Sequence, residues 1–274
     1  MNLPEIITSR TNPTVKFLAS LAEKKYRESS GCFLCEGEKL YGEALRAEAP
    51  LSRIVLREDR EDLLPFAAEY AQKHPECTVV RLNASCFEKV STEKSPQGVI
   101  AVIKNLDNLN NYNIIKKDDF SDPSVRGVLL LDGVRDPGNV GAVLRSAAAF
   151  GATDVILSED CADVCHPRAL RASMGALFHL RLTVVRDLAG TASLLREAGR
   201  RVFAAELKAG AQSVFSVGLC AADAVVIGNE GHGITAAVSA ACDASVYLPV
   251  TDAVESLNAA VAASLFSWEQ MRPR

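Results

Sequence analysis

The chain has 274 residues, of which 48% are hydrophobic and 23% charged. This length is nearly twice the roughly 150 residues of one average domain, so we expect two domains, and the composition excludes a disordered, collagen-like or fibrous protein. We expect a cytoplasmic protein, since no stretch reaches the roughly 18 apolar residues of a membrane span and the N-terminal segment does not resemble a signal peptide. Eight cysteines are too few for a disulfide scaffold and are expected as free thiols.

The first 105 residues alternate between helical and strand-like patterns, which predicts a small α/β domain. Helices are predicted over 12–26, 39–47 and 62–72, and strands over 33–36, 54–56, 78–82 and 99–103. The next segment, 106–125, is rich in Asn and Asp and shows no hydrophobic periodicity. It predicts a linker between a domain at 1–105 and a second domain at 126–274.

The second domain alternates strands and helices more regularly. Strands are predicted over 128–131, 155–157, 182–185, 202–205, 224–227 and 246–248. Helices are predicted over 140–150, around 168–175, from Asp187 onward and over 256–271, the last with an apolar face formed by Leu257, Val261, Leu265 and Trp268. This alternation predicts a parallel sheet with helices on its faces.

The first segment that could carry chemistry follows the strand predicted at 128–131. Pro137 and Gly138 predict a turn, and Asn139 is the predicted N-cap of a helix whose free N–H groups suit an anion. Parallel α/β proteins bind ligands at this end of their strands. The glycines do not match a dinucleotide fingerprint, and no phosphate loop is present. By itself the segment also fits a capped helix on which Arg145 makes a surface ion pair.

Two further segments combine a strand end with small or polar residues. The first, 226–234, places three glycines and a carboxylate after a strand, and such glycines allow close backbone approach to a bound molecule. The second, 248–260, passes from a strand end through a short loop to a helix start at Ser256. By themselves, Ser256 is an ordinary N-cap residue and Glu255 a first-turn carboxylate that the helix dipole favours.

In this order and at these separations, the three segments resemble the motifs of the SpoU (TrmH-like) branch of the SPOUT methyltransferases. The first motif has an Asn six residues before an Arg, here Asn139 and Arg145. The second has Asn-Glu-Gly after a strand, here 229–231, and the third has a Pro followed by Ser-Leu-Asn, here Pro249 and 256–258. Residues 171–176 also match, and 33–45 and 94–102 resemble the small α/β RNA-binding domain, shared with some ribosomal proteins, that often precedes this catalytic domain.

The resemblance implies a trefoil-knotted α/β fold with a parallel sheet, a homodimer, and methyl transfer from S-adenosylmethionine to a ribose 2′-hydroxyl of structured RNA. Ribosomal RNA is favoured over transfer RNA because this two-domain arrangement is commonest among the family's ribosomal enzymes. Carried over residue by residue, the resemblance implies catalytic roles for Asn139, Arg145, Glu230, Ser256 and Asn258. It implies cofactor binding by Gly228, Asn229, Leu248, Pro249 and Leu257. Val250 and Thr251 follow Pro249 where many relatives have a Met, which affects local cofactor packing.

The role of Arg145 needs a physical interpretation, because a guanidinium with a pKa above about 12 is a poor proton acceptor. We expect Arg145 to bind an RNA phosphate and stabilise charge on the reacting oxygen, with a substrate phosphate or water as the proton acceptor. Two other classes stay open. A non-catalytic RNA-binding factor on the same fold would have no need of the cofactor loops, and a small-molecule nucleotide enzyme would need a phosphate loop that is absent.

Cysteines and histidines outside these motifs are interpreted as structural. Cys32 and Cys35 form a C-x-x-C without a second pair, within a predicted strand, which favours core packing over metal binding. Cys161, Cys165 and His166 lack a fourth ligand, so no metal site is expected. His232 lies in the second motif and is predicted to face solvent.

The net charge of −4 argues mildly against a polyanionic partner. Neither domain is basic, so any RNA-binding surface must come from local segregation of charge, to which a dimer can add. The candidates are Arg10, Lys16, Lys24, Lys25 and Arg27 in the first domain and Arg135, Arg145, Arg168 and Arg171 in the second. We therefore expect few phosphate contacts and recognition of RNA shape.

Overall fold

The structure is a computed structural model that describes residues 4–104, 116–251, 253–254 and 256–272. Within these ranges the chain forms two sheets, one of five strands and one of seven. No helix among the described residues is long and apolar enough to cross a membrane.

The N-terminal domain is a mixed sheet with helices on both faces. Its strands are β1 (Ile6–Ile7), β2 (Cys32–Glu36), β3 (Leu51–Arg57), β4 (Thr78–Leu82) and β5 (Val99–Lys104), in the order β1-β4-β3-β5-β2. Its helices are α1 (Pro13–Ser20), α2 (Lys24–Ser30), α3 (Glu38–Arg46), α4 (Leu64–Lys73) and α5 (Ala84–Val90). The four predicted strands are confirmed. The single helix predicted over 12–26 is wrong, because α1 ends at Ser20 and a turn separates it from α2.

The C-terminal domain has the predicted parallel sheet. Its strands are β6 (Val128–Asp132), β7 (Asp154–Ser158), β8 (Arg181–Val185), β9 (Val202–Ala205), β10 (Gln212–Ser213), β11 (Ala224–Gly228) and β12 (Ala244–Tyr247). The order is β10-β12-β9-β11-β6-β7-β8, and every pairing is parallel. The helices are α6 (Pro137–Phe150), α7 (Pro167–Ser173), α8 (Leu188–Glu197), α9 (Val214–Val217), α10 (Ala236–Ala241) and α11 (Ala259–Met271).

The strand order brings distant parts of the chain together at one edge of the sheet. β11 lies between β6 and β9, and β12 lies on the far side of β9. The carboxyl ends of parallel strands lie at the same edge, so the loops that follow β6, β9, β11 and β12 meet there. α11 packs against both α6 and β11, which brings the third sequence motif back beside the first two.

The two domains share one hydrophobic core. Phe33 and Leu40 of the first domain belong to the same cluster of buried side chains as Leu129 and Leu170 of the second. Arg27, only 3% exposed, pairs with Asp163 across the domain boundary at 2.7 Å. The first domain is therefore packed firmly against the second.

Part of the predicted linker is packed against the C-terminal domain. Phe120 and Val125 are buried, and Arg200 donates hydrogen bonds to the carbonyls of Phe120, Asp122 and Val125 at 2.8–3.2 Å. The first part of the linker, 106–115, lies outside the described residues. The buried side chains of Phe120 and Val125 therefore attach 116–125 to the second domain.

Candidate cofactor and catalytic site

A cavity of about 440 Å³ lies at the carboxyl ends of β9, β11 and β12, where α11 begins. This is the edge at which parallel α/β proteins bind their ligands, and the volume falls within the roughly 300–1,000 Å³ of small-molecule sites. Aliphatic side chains and backbone form much of its wall. Of the residues predicted to bind the cofactor, Gly228, Asn229, Leu248 and Leu257 line the cavity. Pro249 is exposed and follows Leu248 without being part of the described lining.

The loop after β11 is a tight turn that the Asn229 side chain stabilises. Its Oδ1 accepts hydrogen bonds from the backbone N–H groups of Gly231 at 2.8 Å and His232 at 3.2 Å. Its Nδ2 donates to the carbonyl oxygen of Gly133 at 2.6 Å, which ties this loop to the loop after β6. Gly228 must be glycine, since a Cβ there would lie 2.4 Å from the backbone of Gly233.

Three side chains from three different motifs form a hydrogen-bonded chain beside the cavity. Asn139, on α6, donates its Nδ2 hydrogen to the carboxylate of Glu230. Asn258 donates its Nδ2 hydrogen to Oδ1 of Asn139 at 3.0 Å. Glu230 itself lines the cavity. The structure therefore brings together three of the five predicted catalytic residues.

The start of α6 differs from the prediction. Asp136 is the N-cap, with its Oδ1 accepting the backbone N–H of Asn139 at 2.9 Å. Asn139 as N-cap is therefore wrong, because Pro137 occupies the first helical turn, where its fixed φ and missing N–H are favoured. The side chain of Asn139 is consequently free to contact Glu230 and Asn258.

Asn258 is also the cap of the last helix, which corrects the predicted start at residue 256. Its Oδ1 accepts the N–H groups of Ala260 at 2.9 Å and Val261 at 3.3 Å. Ser256 is exposed and lines the cavity before the helix begins. Glu255 lies outside the described residues.

Arg145 is exposed and forms no hydrogen bond or ion pair within the described ranges 4–104, 116–251, 253–254 and 256–272. It lies six residues after Asn139 on α6, which is about 9 Å along the helix axis. In the described part of the chain, Arg145 therefore has no acidic partner for an ordinary surface ion pair. A guanidinium without a protein partner is available for a ligand.

Two carboxylates with structural roles at the site were missed by the sequence analysis. Asp132 ends β6, is only 5% exposed, and accepts the backbone N–H of Thr235 at 2.7 Å. Asp136 pairs with Arg168 at 3.1 Å in addition to capping α6. An acidic residue directly after a buried strand was the available signal, but it does not reveal which loop will contact it.

The predicted RNA-binding cations differ in availability. Arg27 is buried, so its prediction as a phosphate ligand is wrong. Arg171 is partly buried and pairs with Glu93 of the first domain at 3.0 Å. The remaining candidates are exposed: Arg10, Lys16, Lys24, Lys25, Arg135 and Arg168. Arg10 and Lys16 form no ion pair among the described residues, and each of the other four pairs with an acidic neighbour.

Cysteines and histidines outside the polar cluster occupy structural or exposed positions. Cys32 and Cys35 are buried on opposite faces of β2, in two different core clusters, which confirms core packing. His166 caps α7 by accepting the N–H of Arg168 at 3.1 Å, and burial lowers its pKa. His232 is exposed at the cavity rim, as predicted.

These features define a parallel α/β protein with a small-molecule cavity at the carboxyl ends of its strands and a polar cluster beside it. The family model of the SpoU rRNA methylase family matches residues 126–268, and a model of an MRM3-like substrate binding domain matches 12–101. The chain belongs to the SpoU rRNA methylase family.

Several individual proteins are similar over nearly the whole chain. The 23S rRNA (guanosine(2553)-2′-O)-methyltransferase RlmP of Bacillus subtilis is 32% identical, with 94% of this chain and 96% of that protein covered. A TrmH-family RNA methyltransferase structure from Porphyromonas gingivalis is 33% identical, with a TM-score of 0.79 over 96% of this chain and 98% of that one. An AdoMet-bound rRNA methyltransferase from Sinorhizobium meliloti is 26% identical, with a TM-score of 0.82 over 97% and 96%.

Proposed function

We propose that this protein transfers a methyl group from S-adenosylmethionine to a ribose 2′-hydroxyl of structured RNA, and that the RNA is ribosomal. The observation that carries the proposal is the meeting of Asn139, Glu230 and Asn258 beside the cavity lined by Gly228, Leu248 and Leu257. The relatives support it, since RlmP acts on 23S rRNA and the Sinorhizobium meliloti enzyme binds AdoMet.

The cavity suits the proposed cofactor in size and in chemistry. Its volume of about 440 Å³ and its aliphatic lining fit an adenosine group, and Gly228 and Leu248, two of the positions proposed to contact the cofactor, line it. When bound, S-adenosylmethionine supplies a methyl group on a sulfonium, which is a good electrophile. The protein must then align the ribose oxygen with that methyl group and assist the loss of the hydroxyl proton.

The residues beside the cavity divide these tasks. Asn139 and Asn258 fix the orientation of Glu230 at the boundary between cavity and solvent, where an RNA ribose enters. Arg145 binds an RNA phosphate and stabilises negative charge on the attacking oxygen. With S-adenosylmethionine bound, methyl transfer to the ribose oxygen would leave S-adenosylhomocysteine in the cavity, and the hydroxyl proton would pass to a substrate phosphate or to water. Ser256 orders the loop that precedes α11.

The active unit in this proposal is a homodimer. α11 leaves Val261, Leu265 and Trp268 between 43% and 48% exposed, while Ala263 and Phe266 on its other face are buried. An apolar stripe on an exposed helix is typical of a surface that another protein covers. Light scattering should give twice the 29.3 kDa chain mass, and Leu265→Asp should give a monomer. A monomeric wild-type protein would overturn this part.

The finer structural predictions are also part of the proposal. We infer that the C-terminal domain contains the trefoil knot that the sequence resemblance implies. The positions of β11 between β6 and β9, and of α11 against α6, support it. We also propose domain boundaries at 1–105, 106–125 and 126–274, and a cytoplasmic location.

Two experiments test the proposed function. A calorimetric titration with S-adenosylmethionine should show one site per chain, whereas no binding would favour a non-catalytic RNA-binding factor. Mapping of ribose methylation in cells with and without the gene should then show the loss of one 2′-O-methyl mark in ribosomal RNA. Loss of a transfer RNA mark would correct the substrate, and loss of no mark would contradict the proposal.

A further inference from the structure

One carboxylate in the cavity has no part in the polar cluster described above. Glu206 directly follows β9, and its backbone N–H donates to the carbonyl oxygen of Val246 on β12 at 3.0 Å. This bond continues the pairing of β9 with β12 and fixes the position of Glu206 at the cavity wall. Of the described lining residues, only Glu206 and Glu230 carry a carboxylate.

The Glu206 carboxylate is held by one of its two oxygens. Oε1 accepts hydrogen bonds from Ser239 Oγ at 2.6 Å and Ser245 Oγ at 2.7 Å, and lies 2.6 Å from Nζ of Lys208. Within the described part of the chain, no hydrogen bond reaches Oε2. The side chain is 19% exposed, so it is largely shielded from solvent, and Oε2 keeps a free acceptor position among the described residues. Three donors on one oxygen fix the orientation of the other.

The charge of Glu206 also restricts what it can bind. Burial opposes its ionisation, but the bonds from Lys208, Ser239 and Ser245 outweigh burial and lower its pKa, so the group is ionised near neutral pH. Lys208 compensates this negative charge locally. Because Lys208 already neutralises the charge of Glu206, a second cation such as an ammonium group would gain little by binding there. A neutral hydroxyl donor is therefore favoured.

We propose that Oε2 of Glu206 accepts hydrogen bonds from the ribose cis-diol of the bound cofactor. The inference rests on the proposed function, because it assumes that the cavity holds an adenosine group. Parallel α/β proteins that bind dinucleotides use an acidic residue near a strand end for the same contact with a ribose hydroxyl. Glu230 is less suited to this task, since it is exposed and accepts a single hydrogen bond, from Asn139, among the described residues.

The test measures the coupling between the carboxylate and the diol. S-adenosylhomocysteine and its 2′,3′-dideoxy analogue are titrated into the wild-type protein and into Glu206→Gln by calorimetry. We expect removal of the diol to weaken wild-type binding about tenfold or more, as for a hydrogen bond to a charged group. Glu206→Gln should weaken S-adenosylhomocysteine by a similar factor and leave the analogue nearly unaffected, because each change removes the same contact.

Three other results would contradict the inference. Equal weakening of both ligands by Glu206→Gln would show that the residue acts only by supporting the wall, and would overturn the inference. Wild-type affinity that is independent of the diol would overturn it as well, while leaving the proposed function intact. No binding of S-adenosylhomocysteine to the wild type would overturn both. Should Glu206→Gln fail to fold, the same titrations on Glu206→Asp, which keeps the charge but withdraws the oxygens, give the coupling.

Discussion

The side chain of Asn258 donates a hydrogen bond to Oδ1 of Asn139 at 3.0 Å, across 119 residues of sequence. Asn258 is the cap of α11, and Asn139 lies in the first turn of α6 and donates in turn to Glu230. The two amides therefore connect the first, second and third motifs. A change in any one of them should alter the positions of the other two.

Asn139→Ala should lower kcat about tenfold or more, because Glu230 loses its donor and Asn258 loses its acceptor. The unfolding free energy should fall by only about 1 kcal/mol, since the carboxylate of Glu230 and the amide of Asn258 can form hydrogen bonds with water in the variant. Methyl transfer at saturating RNA and denaturant titration measure the two effects. Asn83→Ala is the matched control, because it removes the cap of α5 in the first domain at a similar cost of about 1 kcal/mol, and Asn83 does not line the cavity. Equal kcat values for the two variants would contradict the role of Asn139.

Arg145→Ala should lower kcat by roughly 100-fold, the size expected when one donor to a developing oxyanion is lost. Arg145→Lys should recover only part of this loss, because an ammonium cannot make two parallel hydrogen bonds to a phosphate. Stability should change by less than about 0.5 kcal/mol, since Arg145 is exposed.

The control for this pair is Arg186→Ala, an exposed arginine that follows β8 at the far edge of the sheet. It removes the same charge and should leave kcat unchanged. Near-normal turnover by Arg145→Lys would count against a bidentate contact with RNA.

Arg200→Met should lower the unfolding free energy by about 3 kcal/mol, because it leaves buried carbonyls without a donor. Arg200 is buried, which lowers its pKa, and it donates to the carbonyls of Phe120, Asp122, Val125 and Ala222. Limited proteolysis should then cleave within 116–125.

The control is Arg196→Ala, which removes an exposed ion-pair partner of Asp243 and should cost no more than about 1 kcal/mol. Resistance of 116–125 to protease in the Arg200 variant would show that Phe120 and Val125 suffice as anchors.

Glu43→Gln should lower stability near neutral pH but have little effect in strong acid. Hydrogen bonds from Arg46 and Lys39 lower the pKa of Glu43 from 4.5 to about 2. A lowered carboxyl pKa stabilises the fold above the unfolded value of 4.5, and this contribution is lost as the pH falls toward 2. Urea titrations of both proteins at pH 6, 4 and 3 measure the difference. A difference that does not shrink with falling pH would contradict the ionic origin.

The sheet and its motifs were predictable from the sequence because continuous apolar runs such as 128–131 have few alternatives to a buried parallel strand. The short elements β10, α9 and α10 were missed, since segments of two to six residues carry too little periodicity. The wrong N-cap at Asn139 has a different cause. Asp136 and Asn139 both suit a cap, and only the position of Glu230, which follows another strand, shows which one is used.

Other features depend on contacts that no local pattern encodes. Arg27 resembles its exposed neighbours Lys24 and Lys25 in sequence, yet it is buried against Asp163, 136 residues later. The apolar stripe of α11 was predictable, but its exposure was not, because the opposite face with Ala263 and Phe266 forms the core contact. Glu206 belonged to no motif, and its importance follows from the packing of Ser239 and Ser245 around it.

The most direct test of the central proposal is methyl transfer in vitro, with methyl-labelled S-adenosylmethionine, purified protein and ribosomal RNA, followed by digestion to nucleosides. We expect the label in one 2′-O-methylnucleoside, and a rate of labelling roughly 100-fold lower with Arg145→Ala. Label on a base, or no transfer to any RNA by a protein that binds the cofactor, would contradict the proposal.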